Sequence, residues 1–193
     1  MAKINLPVVL ASGSPRRQEL LKQFFAEFKV DPADIDEESL IIANPAQTAQ
    51  KLAKEKALVV SERHPESLVI AGDTIVALGE HDGAEQLAKP AHEADAIRMI
   101  TTLAGRTHVV ITGIALRWPT GFIAFTDVSK VTFKKLTEKQ IADYVATGES
   151  MDKAGAYGIQ GMASTLVERI EGSINNIIGL PTERLEEALR NVH

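Results

Sequence analysis

Three observations predict an α/β fold for this chain. Apolar, β-branched runs alternate along it with segments whose apolar residues recur at helical spacing. No low-complexity linker, internal repeat or abrupt change of composition divides its 193 residues. With 45% hydrophobic and 24% charged residues, it has the make-up of an ordinary globular protein. Such a length suits one domain over residues 1–193, with two lobes allowed, and is enough to bury a substantial core.

The elements follow in order. Leu6 to Ala11 reads as a strand, Ser12-Gly13-Ser14 as a turn, and Pro15 as the first position of a helix capped by Ser14. Leu20, Leu21, Phe24, Phe25 and Phe28 continue that helix with one apolar face. Residues 45–61 form a second helix, and Leu68 to Leu78 a buried central strand interrupted by Asp73-Thr74. Residues 91–104 read as a helix stopped by Gly105. His108 to Trp118 and Phe122 to Phe133 fit a hairpin turned by Pro119-Thr120-Gly121. Thr137 and Gln140 form a capping box for a helix ending near Gly148. A glycine-rich stretch, a strand over Ser164 to Ile170 and a helix from about Pro181 complete the chain.

Composition narrows the function. A net charge of −5 argues against a general nucleic-acid coat or an anionic membrane surface. Cysteine is absent, which excludes disulfides, thiol catalysis and cysteine-bound metals and fits a reducing cytoplasm. The amino terminus lacks the apolar core of a signal peptide, and no run approaches the ~20 apolar residues of a membrane helix. A soluble, cytoplasmic protein is expected.

Several residues stand out against this background. Arg16 and Arg17 occupy the first turn of a helix, where negative side chains are favoured. With Ser12 and Ser14 they fit an anion site, most naturally for phosphates. Solvation, or pairing with nearby carboxylates, is the other reading. Asp73 interrupts a core strand, so it is either paired, metal-bound or catalytic, or it ends the strand in a turn. Lys56 lies in the apolar stripe Ala49, Leu52, Ala53, Ala57, Val60, where a lysine either snorkels outward or points into a site. In Asp152 to Gly161, three glycines at every third position allow close approach of backbone to a ligand, or make a tight structural turn. Gln160 has the groups to read a base edge or ribose, and Tyr157 suits the core equally well. One member of the acidic run Asp34, Asp36, Glu37, Glu38 could join Asp73 around a hard cation. The histidines lack zinc-site spacing, and no nucleophile elbow exists.

Taken together, Ala11-Ser12-Gly13-Ser14-Pro15-Arg16-Arg17-Gln18-Glu19-Leu20-Leu21, Ala53-Lys54-Glu55-Lys56-Ala57, Gly72-Asp73-Thr74-Ile75-Val76, Ala88-Lys89-Pro90, Asp152 to Gly161 and Gly179-Leu180-Pro181 resemble the Maf family of nucleoside triphosphate pyrophosphatases. The resemblance implies an elongated mixed β-sheet flanked by helices, with a cleft between two lobes. It implies hydrolysis of a nucleoside triphosphate to the monophosphate and pyrophosphate with Mg²⁺ or Mn²⁺. By position, Asp73 looks like the proton acceptor and Glu37 the second acidic residue, with Glu38 as substitute; both Asp73 and Glu37 are expected at the metal. Lys56 and Lys89 fall at catalytic positions, and Ser12, Arg16, Arg17, Lys153 and Gln160 at substrate-binding ones. Arg16, Thr74 and Gln160 resemble the set of the branch acting on dTTP and UTP, with Thr74 expected beside Asp73. Ser173-Ile174-Asn175-Asn176 departs from the family's Gly-Ser-Tyr-type segment. A homodimer is a further expectation. The competing reading is a regulator of septum formation and cell division acting through a binding partner.

Overall fold

A computed structural model gives the structure of the protein and describes residues 4–193. Seven strands form one mixed sheet: β1 (Val8–Leu10), β2 (Lys29–Val30), β3 (Leu68–Ala77), β4 (Gln86–Leu87), β5 (Thr107–Trp118), β6 (Gly121–Phe133) and β7 (Val167–Glu171). Their order is β2-β1-β3-β5-β6-β7, with β4 also paired to β3. The helices are α1 (Pro15–Leu21), α2 (Pro45–Arg63), α3 (Glu93–Leu103), α4 (Glu138–Val145), α5 (Ile174–Ile178) and α6 (Thr182–Leu189).

The long antiparallel ladders of β3 with β5 and of β5 with β6 make the spine. β3 alternates its side chains between two layers, as a strand must. Val69, Ala71 and Ala77 pack under α2, whose Ala49, Ala53 and Ala57 are small enough to bring the helix close. Ile70 joins Leu10, Leu21, Leu180 and Leu185 on the other face, in one lobe. Val76 joins Leu87, Ile100, Phe133 and Tyr144 in the second lobe.

One edge of β3 is covered only at its two ends. β1 runs parallel to it along Leu68–Ile70, and β4 antiparallel along Val76 and Ala77. Among the described residues, no strand pairs with residues 71–75 on that side. Ile70 O accepts from Ala11 N and Leu78 N donates to Glu85 O, so the even-numbered residues turn their main-chain groups toward this gap. The gap is the floor of the cleft between the lobes.

The expected caps are present. Ser14 Oγ accepts from Arg17 N, Asn44 Oδ1 from Ala46 N and Gln47 N, and Thr137 with Gln140 closes the capping box. Two boundaries and the short elements differ from the sequence expectation. α1 ends at Leu21, where 3-10-type bonds from Gln23 N to Leu20 O and Phe24 N to Leu21 O replace it. Phe24, Phe25 and Phe28 still pack on the first lobe, but from outside the helix. β7 begins at Val167 because Gly161–Leu166 forms a 3-10 turn. The Ser164 and Thr165 hydroxyls hold it by donating to the carbonyls of Gly161 and Met162. The short α5 was not expected, although Ser173 at its start and left-handed Gly179 at its end mark it.

Candidate active site

The cleft has a volume of about 870 Å³ and is lined from both lobes by nearly every residue singled out above. Asp73 lies mid-strand, so the alternative of a strand-ending turn does not hold. Its odd position turns it toward α2, where Lys56 meets it. Lys56 Nζ lies 2.6 Å from Asp73 Oδ1 and 2.7 Å from Glu37 Oε1. Lys56 and Asp73 are each only 9% exposed. The lysine therefore points into the site rather than snorkelling out. Burial of either charge alone would be costly, and each offsets the other's cost. Glu37 precedes a 3-10 turn, Glu38–Leu40, and its carboxylate reaches Lys56 in the middle of α2. It is Glu37, not Glu38, that pairs with Lys56, although both border the cleft.

The even-numbered neighbour Thr74 projects to the opposite face. The expectation that its hydroxyl sits beside Asp73 is corrected by the two-residue period of the strand. Thr74 instead meets Arg17, whose guanidinium donates to Thr74 Oγ1 (2.9 Å), Ser12 Oγ (3.1 Å) and Gly179 O (2.8 Å). Burial lowers the Arg17 pKa and the Asp73 charge opposes that shift. A guanidinium remains charged regardless. A Cβ on Gly72 would lie 3.2 Å from Arg17 Nε, so the glycine gives this side chain its room. α1 has only seven residues, so the positive character of this corner comes from its two arginines more than from a helix dipole.

Arg16 reaches across the cleft, with Nη1 3.4 Å from Asp152 Oδ2. Lys153 lines the cleft, but its ammonium is bound to the Asp152 carboxylate and the Glu149 carbonyl. Lys89 and Gln160 are exposed at the rim, and neither side chain has a hydrogen-bond or ion-pair partner among the described residues. The close approach allowed by the glycine-rich stretch serves packing at Gly155. That residue has φ +67°, and a Cβ there would lie 2.8 Å from Val76 Cγ1. Tyr157 is core: its hydroxyl lies 2.7 Å from His108 Nε2, and its ring meets Phe133 edge-on at 4.8 Å. Burial pushes His108 down to about 4 and raises Tyr157.

The donor set suits a hard divalent cation. Two carboxylates share one ammonium, which leaves a formal charge of −1 facing the cleft. No group of three or more acidic or histidine side chains is arranged to hold a metal ion among the described residues. A small hard cation is commonly held by one or two carboxylates, with water and substrate phosphates completing its shell. Asp73 and Glu37 fit that requirement.

A divided mixed sheet with a lysine–carboxylate cluster at its gap and a basic corner across the cleft is the frame of a nucleotide-handling α/β protein. Comparison with known proteins gives the family. The family model described as Maf-like protein matches residues 7–192, and the chain belongs to that family. A protein of Koribacter versatilis named dTTP/UTP pyrophosphatase is 46% identical over 187 residues, covering 97% of this chain and 95% of that protein. Proteins of the same name from Aquifex aeolicus and Geobacter sulfurreducens are 43% and 46% identical, each alignment covering 96% of this chain and 95% or 96% of the relative. A solved HAM1 protein from Coxiella burnetii shares the fold at 14% identity, with a TM-score of 0.50 over 96% of this chain and 98% of its own.

Proposed function

We propose that this protein hydrolyses dTTP and UTP, and modified pyrimidine nucleotides of the same shape, to the monophosphate and pyrophosphate. The observation that carries the reading is the Asp73–Lys56–Glu37 cluster beside the free edge of β3, in a chain whose relatives bear that activity in their names. Asp73 Oδ1 is held by Lys56, while Oδ2 accepts no hydrogen bond among the described residues. Asp73 Oδ2 is the atom that takes a proton from water as the water oxygen bonds to the α-phosphorus. The bond from that phosphorus to the oxygen bridging the β-phosphorus breaks, and pyrophosphate leaves with the bonding pair.

Asp73 and Glu37 would hold Mg²⁺ or Mn²⁺, directly or through water, and the ion would supply charge neutralisation for the triphosphate and a more acidic water. Lys56 orients both carboxylates. Lys89, with no ion-pair partner among the described residues, is assigned to the departing pyrophosphate, and Ser12 and Arg17 to the phosphate chain. Arg16, Thr74 and Gln160 are assigned to the base, and Lys153 to the substrate from the same stretch as Gln160. A cytoplasmic homodimer agrees with this reading, and no helix among the described residues is long and apolar enough to cross a membrane. No feature of the cleft favours the alternative of a division regulator acting through a partner.

The test is pyrophosphate release from dTTP, UTP, CTP, ATP and GTP with Mg²⁺ or Mn²⁺, using wild type and Asp73→Asn. Metal-dependent hydrolysis selective for dTTP and UTP, lost in the variant, is the expected result. Preference for purine nucleotides, or an Asp73→Asn enzyme of near-normal rate, overturns the reading.

A further inference from the structure

Below Arg17 and Thr74 the hydrogen bonds continue into two residues with no role assigned above, Thr112 and Asn176. Arg17 Nη2 lies 2.9 Å from Thr74 Oγ1, which lies 3.0 Å from Thr112 Oγ1, which lies 2.8 Å from the main-chain oxygen of Asn176. Thr112 and Asn176 are fully buried. Thr112 stands opposite Thr74 in the β3–β5 ladder and so faces the same side of the sheet. Asn176, in α5, is fastened by its own side chain. Its Nδ2 donates to Val110 O and to Ser129 Oγ, both at 2.9 Å.

The two ends of this chain leave one direction for its protons. A guanidinium only donates, and a carbonyl only accepts. Thr112 has a single hydroxyl proton and must give it to Asn176 O. It can therefore only accept from Thr74, whose single proton is committed in turn. Thr74 then accepts from Arg17. One lone pair of Thr74 Oγ1 remains, and no proton. Toward the cleft this hydroxyl is an acceptor only, although an isolated threonine is both donor and acceptor.

We infer that Thr112, through its bond to Asn176 O, is a positioning residue that sets the polarity of Thr74 and so selects the pyrimidine ring. The inference rests on the pyrimidine reading above and deepens it. Uracil and thymine carry a proton on N3, which suits an acceptor. Cytosine carries a lone pair there, which an acceptor-only oxygen repels. A site built around a fixed hydrogen bond rejects the ring that leaves it unmade far better than a merely shaped pocket does.

The experiment measures kcat/KM for UTP and CTP with wild type, Thr112→Val and Thr112→Ser. Valine keeps the shape of threonine, and Asn176 O keeps its second donor, Gly179 N at 3.0 Å. Loss of the Thr112 hydroxyl frees the Thr74 proton to turn into the cleft. The UTP/CTP ratio is expected to fall about five- to tenfold in Thr112→Val, the range of one hydrogen bond, and to return in Thr112→Ser. A purely structural role lowers both substrates equally, and that result overturns the inference while leaving the pyrophosphatase reading intact. So does an unchanged ratio in Thr112→Val. If valine prevents folding, by thermal melting, Thr112→Ser carries the test alone, because its hydroxyl restores the chain: a wild-type ratio supports the inference, and an altered ratio in the folded enzyme overturns it. A wild type that hydrolyses CTP as well as UTP overturns the inference and the base assignment together.

Discussion

Lys56 and Asp73 meet at 2.6 Å although they lie on different elements and both are nine-tenths buried. The pair exists because α2 crosses β3 on the face to which odd-numbered residues point. Its partner Glu37 is half-exposed and completes the cluster from a loop. Removing the ammonium leaves a buried carboxylate without its counter-charge. Lys56→Met is therefore expected to lose about 3 kcal/mol of stability, read from urea unfolding, and most of its turnover. A variant as stable and active as wild type places Lys56 outside the site.

Arg17 is fixed by three hydrogen bonds to three separate segments: the turn after β1, the middle of β3 and the end of α5. Arg17→Ala should cost about 2–4 kcal/mol in urea unfolding, since a charged donor serves three partly buried acceptors. Arg16 has one long contact to an exposed carboxylate, so Arg16→Ala should leave the melting temperature within about 2 °C of wild type. A comparable loss of stability in both variants contradicts this division.

His108 gives the fold a pH dependence. It stays neutral in the folded state down to about pH 4, whereas the unfolded chain takes up its proton near 6.5. The folded pKa is lowered, so the unfolded state binds more protons between those values and stability falls as pH falls through this window. The loss should reach about 2 kcal/mol between pH 7 and pH 5. His108→Phe keeps an aromatic ring against Phe133 and removes the titration. Its unfolding free energy should vary less steeply with pH than that of wild type over this range. Parallel curves for the two proteins would exclude His108 as the cause.

At Gly155 the backbone is left-handed and the neighbour is a β-branched side chain. Gly155→Ala should lower stability by about 2 kcal/mol and raise KM, because the shifted loop carries Gln160. An unaltered melting temperature and KM show that the loop absorbs the methyl group freely.

Much of this molecule was legible where the information is local. Ser14, Asn44 and Thr137 announce their helices because capping is a contact over two or three residues. Asp73 and Lys56 announce themselves because a charge in an apolar pattern requires a partner. The two-residue strands β2 and β4 were not legible, and with them went the gap that makes the cleft. Strand period does place Thr74 opposite Asp73, and ignoring it put the hydroxyl on the wrong face. Thr112 carries no sequence signal, and Asn176 only its place in a segment that departs from the family's pattern. Each is an ordinary polar residue until β5 and α5 bring them within hydrogen-bond reach of Thr74.

The most direct measurement follows the oxygen of the attacking water. Hydrolysis of dTTP in ¹⁸O-labelled water should place one label in dTMP and none in the pyrophosphate, since Asp73 and Glu37 are assigned to the α-phosphate. Label in pyrophosphate, or release of labelled inorganic phosphate, means that water attacks elsewhere on the chain and contradicts the assignment.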